Sequence, residues 1–262
     1  MNILKTTLAL LLLLLLVVPL ETFAQSAGGQ ISRKPKTLVK KESPAKKKTP
    51  SKSTAKKPAA KKTVRSSKPI PNGAVDLGLP SGTLWADRNI GANSPEGYGD
   101  YFAWGETSPK SEYNWSTYKY CNGSYDTLTK YNNKSIYGTI DNKTILEASD
   151  DAATANWGSN WRMPTHAEQE ELIEKCTWTW TTHNGVKGYK VTGPNGNSIF
   201  LPAAGYRSGS SVGNAFSYGN YWSASLDESG PNEARIMDFF SANHYSYNNS
   251  RSYGYSVRAV AR

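Results

Sequence analysis

Between Asn156 and Cys176 the chain reads NWGSNWRMPTHAEQEELIEKC, and this stretch leaves little freedom in what can be built around it. Trp161, Arg162 and Met163 alternate apolar and polar, as a short strand does, and Pro164 then removes a backbone donor and stops the strand. Thr165 is a good helix N-cap. With Glu168 three residues later it makes a T-x-x-E capping box, in which each side chain satisfies the other residue's orphan amide. Glu168, Glu170 and Glu171 favour the positive end of the helix dipole. Leu172, Ile173 and Cys176 form one narrow apolar stripe, so the helix must lie on a larger body that supplies the opposing surface.

The segment WRMPTHAEQEEL resembles the W-R-[LM]-P-T-x-x-E signature of the Fibrobacter succinogenes major paralogous domain, a module of secreted Bacteroidetes-type proteins. The resemblance extends to VDLGLPSGTLWADRNIGA (from Val75), GDYFAWGE (from Gly99), LPAAGYR (from Leu201), YWSAS (from Tyr221) and YSVRAV (from Tyr255), in the family's order. It covers residues 74–260. The fold it implies is α+β and C-type-lectin-like: mainly antiparallel sheet with two helices and long loops. That fold hosts glycan binders, protein binders, adhesins and an oxidase, so the resemblance alone leaves function open.

A formal charge of +10 suggests a nucleic-acid-binding domain until it is mapped along the chain. Ser26 to Ile70 holds 15 Lys and Arg against the single acid Glu42, whereas from Pro71 onward 15 basic residues face 19 acidic ones. The domain is therefore mildly acidic, and the basic character belongs to the segment before it. Ahead of that segment, Lys5, the apolar run Leu8 to Val18, Pro19 and the small residues Thr22 and Ala24 form an export signal with cleavage after Ala24. The run is shorter than the roughly 20 residues a membrane span needs, and a retained N-terminal anchor is the alternative reading. Residues 1–24 are thus read as a signal peptide, 25–72 as a basic linker and 73–262 as the domain. The localisation expected is periplasm, outer surface or extracellular space.

The linker is built from Lys, Pro, Ala, Ser and Thr, a composition that cannot bury enough apolar surface to offset chain entropy. Residues 26–70 are either a solvated spacer or a polycation for lipopolysaccharide, acidic polysaccharide or extracellular DNA. In the second case binding weakens steeply with salt.

Past Pro71 the composition turns to Trp, Tyr, Gly, Asn and Ser. Ala74 to Gly78 and Thr83 to Ala86 read as a hairpin, and Tyr101 to Trp104 as a third strand. Thr107 to Ile145 has no sustained period and reads as an insertion packed by its own aromatics. A short helix capped by Ser149 ends at Gly158, ahead of the Thr165 helix. Strands follow at Thr177 to Thr182, Lys187 to Thr192, Ser198 to Leu201, Tyr221 to Ser225, Ala234 to Phe239 and Ser256 to Val260. The last should return to the first hairpin. Gly205 to Asn220 and Phe240 to Gly254 read as loops.

Catalysis finds little footing. His166, His183 and His244 sit in no triad or metal-ligand spacing, and the adjacent acids Asp150 and Asp151, or Glu170 and Glu171, point to different helix faces. Cys121 and Cys176 match nothing in the cysteine motif of the fold's formylglycine-generating branch, which leaves an enzyme of that branch a distant alternative. The calcium-binding E-P-N and W-N-D segments of C-type lectins are answered here by Gly230-Pro231-Asn232-Glu233 and Tyr221-Trp222-Ser223-Ala224-Ser225, an incomplete oxygen set. No metal or cofactor is expected. The two cysteines have two readings: a bridge, as an oxidising compartment permits, or a buried thiol at Cys176 on the helix stripe.

Trp85, Trp104, Trp161 and Trp222 fall on strand patterns and read as core, and Arg162 as structural, satisfied by loop carbonyls or a buried acid. Tyr206, Arg207 and Tyr218 in one loop, and Tyr245, Tyr247, Asn248 and Arg251 in the other, are the candidate ligand-binding residues. The reading these features favour is an exported, non-enzymatic surface binding or adhesion module, recognising a glycan or another envelope or extracellular ligand. A structural component of the envelope or of a surface appendage is the alternative.

Overall fold

A computed structural model of the chain describes residues 70–261. The export signal and all but the last residues of the basic linker lie outside the described residues. In chain order the elements are β1 (Ala74–Asp76), β2 (Leu84–Ala86), α1 (Ala152–Trp157), α2 (His166–Lys175), β3 (Thr177–His183), β4 (Val186–Thr192), β5 (Ser198–Pro202), β6 (Tyr206–Ser208), β7 (Ser211–Gly213), β8 (Tyr218–Leu226), β9 (Glu233–Phe240), β10 (Asn243–Ser250) and β11 (Val260–Ala261). These strands pair with one another antiparallel, in three-stranded sheets β1-β2-β11, β3-β4-β5 and β10-β9-β8 and a β6-β7 hairpin, and β8 also takes single parallel bridges from Gly205 and Ser256. The architecture is α+β, dominated by antiparallel sheet.

Local chemistry accounts for several of these elements. Thr165 Oγ1 accepts from the amide of Glu168 and the Glu168 carboxylate accepts from the amide of Thr165, which is the capping box that starts α2. Asn184 and Gly185 both have positive φ (47° and 83°), the geometry a two-residue turn needs to join β3 to β4. β11 pairs with β2, so the end of the domain returns to its first hairpin.

Two buried clusters make the core, and β8 feeds both: successive side chains point to opposite faces, so Tyr221 enters one cluster and Trp222 the other. Trp85, Trp104, Trp161 and Trp222 are all buried. Within the insertion, Trp115, Tyr118, Tyr120 and Tyr131 form an edge-to-face chain with centroids 5.4–6.0 Å apart, ending on Trp104. Arg162 donates two hydrogen bonds to the buried Glu168, at 2.6 and 2.7 Å.

Several expectations are corrected. Tyr101 to Trp104 is not a strand: its backbone bonds pairwise to Tyr255 and once to Arg251, and burial of the side chains holds it in place. The first helix is capped by Asp151, because Ala148–Asp150 is taken up in a 3₁₀ turn ahead of it. Phe240 to Gly254 is largely the strand β10, and Gly205 to Asn220 holds β6, β7 and the start of β8. The cysteines are unbridged. Cys121 donates to the carbonyl of Trp115 inside the insertion, whereas Cys176 packs on the other core cluster, where burial pushes its thiol up to about 11.

Candidate functional site: a tyrosine face over Asp238

β10 is polar along its whole length, yet it pairs with β9 over eight residues. Its even-numbered side chains turn toward α2 and β3: the His244 ring stacks on Trp178 at 4.5 Å, and Ser246 Oγ lies 3.2 Å from His166 Nδ1. The odd-numbered side chains take the opposite face. Register across the sheet then sets three rows on that face: Tyr218, Phe240 and Asn243; Asn220, Asp238 and Tyr245; Trp222, Ile236 and Tyr247. The third row is core at its inner end and solvent at its outer end, where Tyr247 is 54% exposed. Tyr218 packs on Phe240 at 5.4 Å and Tyr245 meets Tyr247 edge-to-face at 6.3 Å.

At the base of these rings sits Asp238, buried, accepting a 2.8 Å hydrogen bond from Asn220 Nδ2 and facing the Tyr245 hydroxyl. Burial pushes its carboxyl up to about 6, with the Tyr245 hydrogen bond and the Phe239 amide pulling the other way. Tyr245 is correspondingly pushed up to about 12, by burial first and then by the Asp238 charge. A carboxylate that accepts from Asn220 and Tyr245 fixes the orientation of the Tyr245 ring while leaving the phenol oxygen free to accept from a ligand.

The rest of the tyrosine surface continues from this face. Tyr206 stacks on Tyr253 at 6.0 Å and both meet Tyr255, which lies within electrostatic range of Asp238. Arg207 places its guanidinium 5.6 Å above the Tyr101 ring.

The structure thus brings Tyr206, Tyr218, Tyr245 and Tyr247 together and separates two others from them. Asn248 is on the opposite face of β10, where its amide donates to Asp227 at 2.7 Å and to Glu233. Asp227 also accepts from Ser229 and Arg235, so the Gly230–Glu233 turn is knitted by donors. Arg251 is fully buried and is corrected from a ligand-binding residue to a core one: its guanidinium is consumed by Tyr118 and by the carbonyls of Lys130, Tyr131 and Pro231. Asp238 itself was missed by sequence reasoning. The signal available was an acid inside the apolar run Ile236-Met237-Asp238-Phe239-Phe240, since an ionisable group on such a strand must be partnered or shifted.

Asp238 therefore titrates where few carboxylates do. Its folded value lies above the ordinary 3.8, so it costs stability at neutral pH, and that cost shrinks as pH falls below about 6 and is gone by 3.8. Side-chain carboxyl ¹³C shifts of the full chain should show one aspartate with a midpoint near 6, and Asp238→Asn should remove it. An Asp238 midpoint near 4 would contradict the burial seen here.

A family model described as a domain of unknown function, DUF8237, matches residues 165–260. The match begins at the N-cap of α2 and closes at β11, and so spans the whole tyrosine face. No curated protein and no solved structure matches the chain.

Proposed function

We propose that this is an exported, non-enzymatic binding module that holds a glycan on the Tyr218–Tyr245–Tyr247 face. Its domain takes the C-type-lectin-like fold of the Fibrobacter succinogenes major paralogous domain family, and residues 26–70 tether it to anionic surface polymers such as lipopolysaccharide, acidic polysaccharide or extracellular DNA. The observation that carries the reading is the one-sided arrangement of rings over Asp238. Sugar C–H faces stack on aromatic rings, while phenol oxygens and carboxamides exchange hydrogen bonds with hydroxyls. Tyrosine offers this contact at low entropy cost, with two rotatable bonds to immobilise.

A saccharide panel probed with the full chain and with the Tyr245→Ala/Tyr247→Ala variant tests it. The variant should lose at least about tenfold in affinity for whichever saccharide binds, as truncation of central interface rings does. Its thermal midpoint should stay within a few degrees, because Tyr247 is exposed and Tyr245 half-buried at the sheet edge. Undiminished saccharide binding in the variant, or no saccharide bound by the parent, would refute the reading.

A further inference from the structure

The far side of the domain carries a second arrangement of groups that the fold does not use. The sheet β3-β4-β5 buries Trp178, Trp180, Tyr189, Val191, Ile199 and Leu201 on one face. Its other face presents Thr179 and Thr181 from β3, Lys190 from β4 and Ser198 and Phe200 from β5, in the register Thr179, Lys190, Phe200. Gly188 lies beside Phe200 with no side chain, and a Cβ there would come within 2.8 Å of the Phe200 ring, so this glycine is what lets the ring settle across β4. The loop holding Asp87 and Pro95 rises opposite. It is clasped to the β3–β4 turn by Glu96, which accepts from Asn184 Nδ2 at 3.0 Å. Between loop and sheet lies a cleft of about 430 Å³ with Phe200 at its base.

What distinguishes this cleft is the state of its polar groups. Among the described residues the hydroxyls of Thr181 and Ser198 bond to no protein group, and Lys190 has neither hydrogen bond nor ion pair. The wall's other formal charge, Asp87, is already matched by Arg88 at 2.9 Å. The uncompensated ammonium in the cleft is flanked by free hydroxyls and by His183, whose ring stands 5.3 Å from that of Phe200, itself only 7% exposed. The cleft's volume falls within the roughly 300–1,000 Å³ of small-ligand sites, and a few convergent polar groups over an apolar base is the usual composition of such sites.

We infer that this cleft is a second ligand site, for a carboxylated sugar unit of the hexuronic acid type. The carboxylate pairs with Lys190 in a charge-assisted hydrogen bond, ring hydroxyls exchange bonds with Thr181 and Ser198, and C–H groups of the sugar meet the small part of Phe200 left exposed. A neutral sugar would forfeit the charged contact, and a cation would meet Lys190 as a like charge. The inference stands independently of the tyrosine face, which belongs to a different sheet.

Amide chemical-shift mapping of the ¹⁵N-labelled full chain separates the two sites from each other and from the basic segment. Digalacturonate should produce saturable shifts at the amides of Thr181, Lys190 and Ser198. The uncharged digalactose should bind there at least about tenfold more weakly. Lys190→Ala, an exposed substitution that removes no hydrogen bond or ion pair among the described residues, should weaken digalacturonate by a similar factor while the Tyr245 and Tyr247 amides respond as in the parent. Absence of saturable shifts at the three amides at millimolar digalacturonate overturns the site. Equal affinities for the acidic and neutral disaccharides, or for parent and Lys190→Ala, overturn the chemistry assigned to it.

Discussion

Replacing Arg251 with alanine should lower the thermal midpoint of the full chain by about 10 °C or more, the largest loss expected from any single side chain outside the tryptophan core. Arg251 is 0% exposed and, among the described residues, has no acidic partner. Its positive charge is met by oxygen dipoles and ring faces. Nε donates to the Tyr118 hydroxyl at 2.9 Å, Nη1 to the carbonyls of Tyr131 and Pro231, and Nη2 to that of Lys130, while the guanidinium carbon stands 4.8 Å over Trp104 and 5.3 Å over Tyr118. Truncation leaves a cavity and three carbonyls without this donor, together costing roughly 4 kcal/mol. For a domain of this size each kcal/mol moves the midpoint by about 2–4 °C. Arg251→Lys should recover little, since one ammonium cannot reproduce a planar fork that reaches four acceptors. Differential scanning calorimetry decides the matter, and a midpoint within 3 °C of the parent's would show that the insertion is held by its own aromatic chain instead.

Glu168→Ala should come next, at about 3 kcal/mol, and should change how the protein responds to acid. One carboxylate here serves three elements. It accepts two bonds from Arg162, one from the amide of Thr165 and one from the Thr83 hydroxyl at 2.9 Å, tying α2 to the β1–β2 hairpin. Burial pushes its pKa up, but the Arg162 bonds, the Thr165 amide and Thr83 together outweigh burial and hold it at about 2. Because the folded value lies below the ordinary 4.5, the stabilisation is present above pH 4.5 and is lost as pH falls toward 2. Asp150 is likewise held at about 2: burial raises it, and bonds from Lys130, Tyr120 and Tyr131 more than offset that. Asp238 has the opposite sign and moderates the upper part of the same descent. Denaturant unfolding at a series of pH values should show parent stability falling steeply between pH 4.5 and 2, with a shallower fall in Glu168→Ala. Parallel curves would place the acid-labile group elsewhere.

The α2 cap was legible in the sequence because a side chain bonds a nearby amide, and Trp85 and Trp222 because they alternate along strands, whereas Trp104 and Trp161 are buried on segments that form no strand. β10 was not legible. Its residues are Asn, His, Ser and Tyr, and what makes it a strand is the unsatisfied edge of β9, a partner whose pairing is a tertiary fact. Arg251 was misplaced for the same reason. Its charged, Ser- and Asn-rich surroundings look solvated, yet two of the carbonyls it serves lie 120 and 121 residues earlier in the chain. Four of the seven candidate binding residues do converge, because all are tyrosines at exposed or half-buried positions near one sheet face. Asp238, which organises that face, lies in β9 between the buried Met237 and Phe239.

The pairing of β1 and β11 on either side of β2 has a mechanical consequence. Both run antiparallel to β2, and Val75, Trp85 and Val260 stand in one row across the ribbon. A pull on the chain where it enters at Ala74 and leaves at Ala261 therefore draws the outer strands in opposite directions along their own axes. The ribbon's hydrogen bonds are strained together, in shear, and cannot be opened one after another from an end. The fully buried Trp85 indole, held between those strands, would have to slide out of the core in the same step.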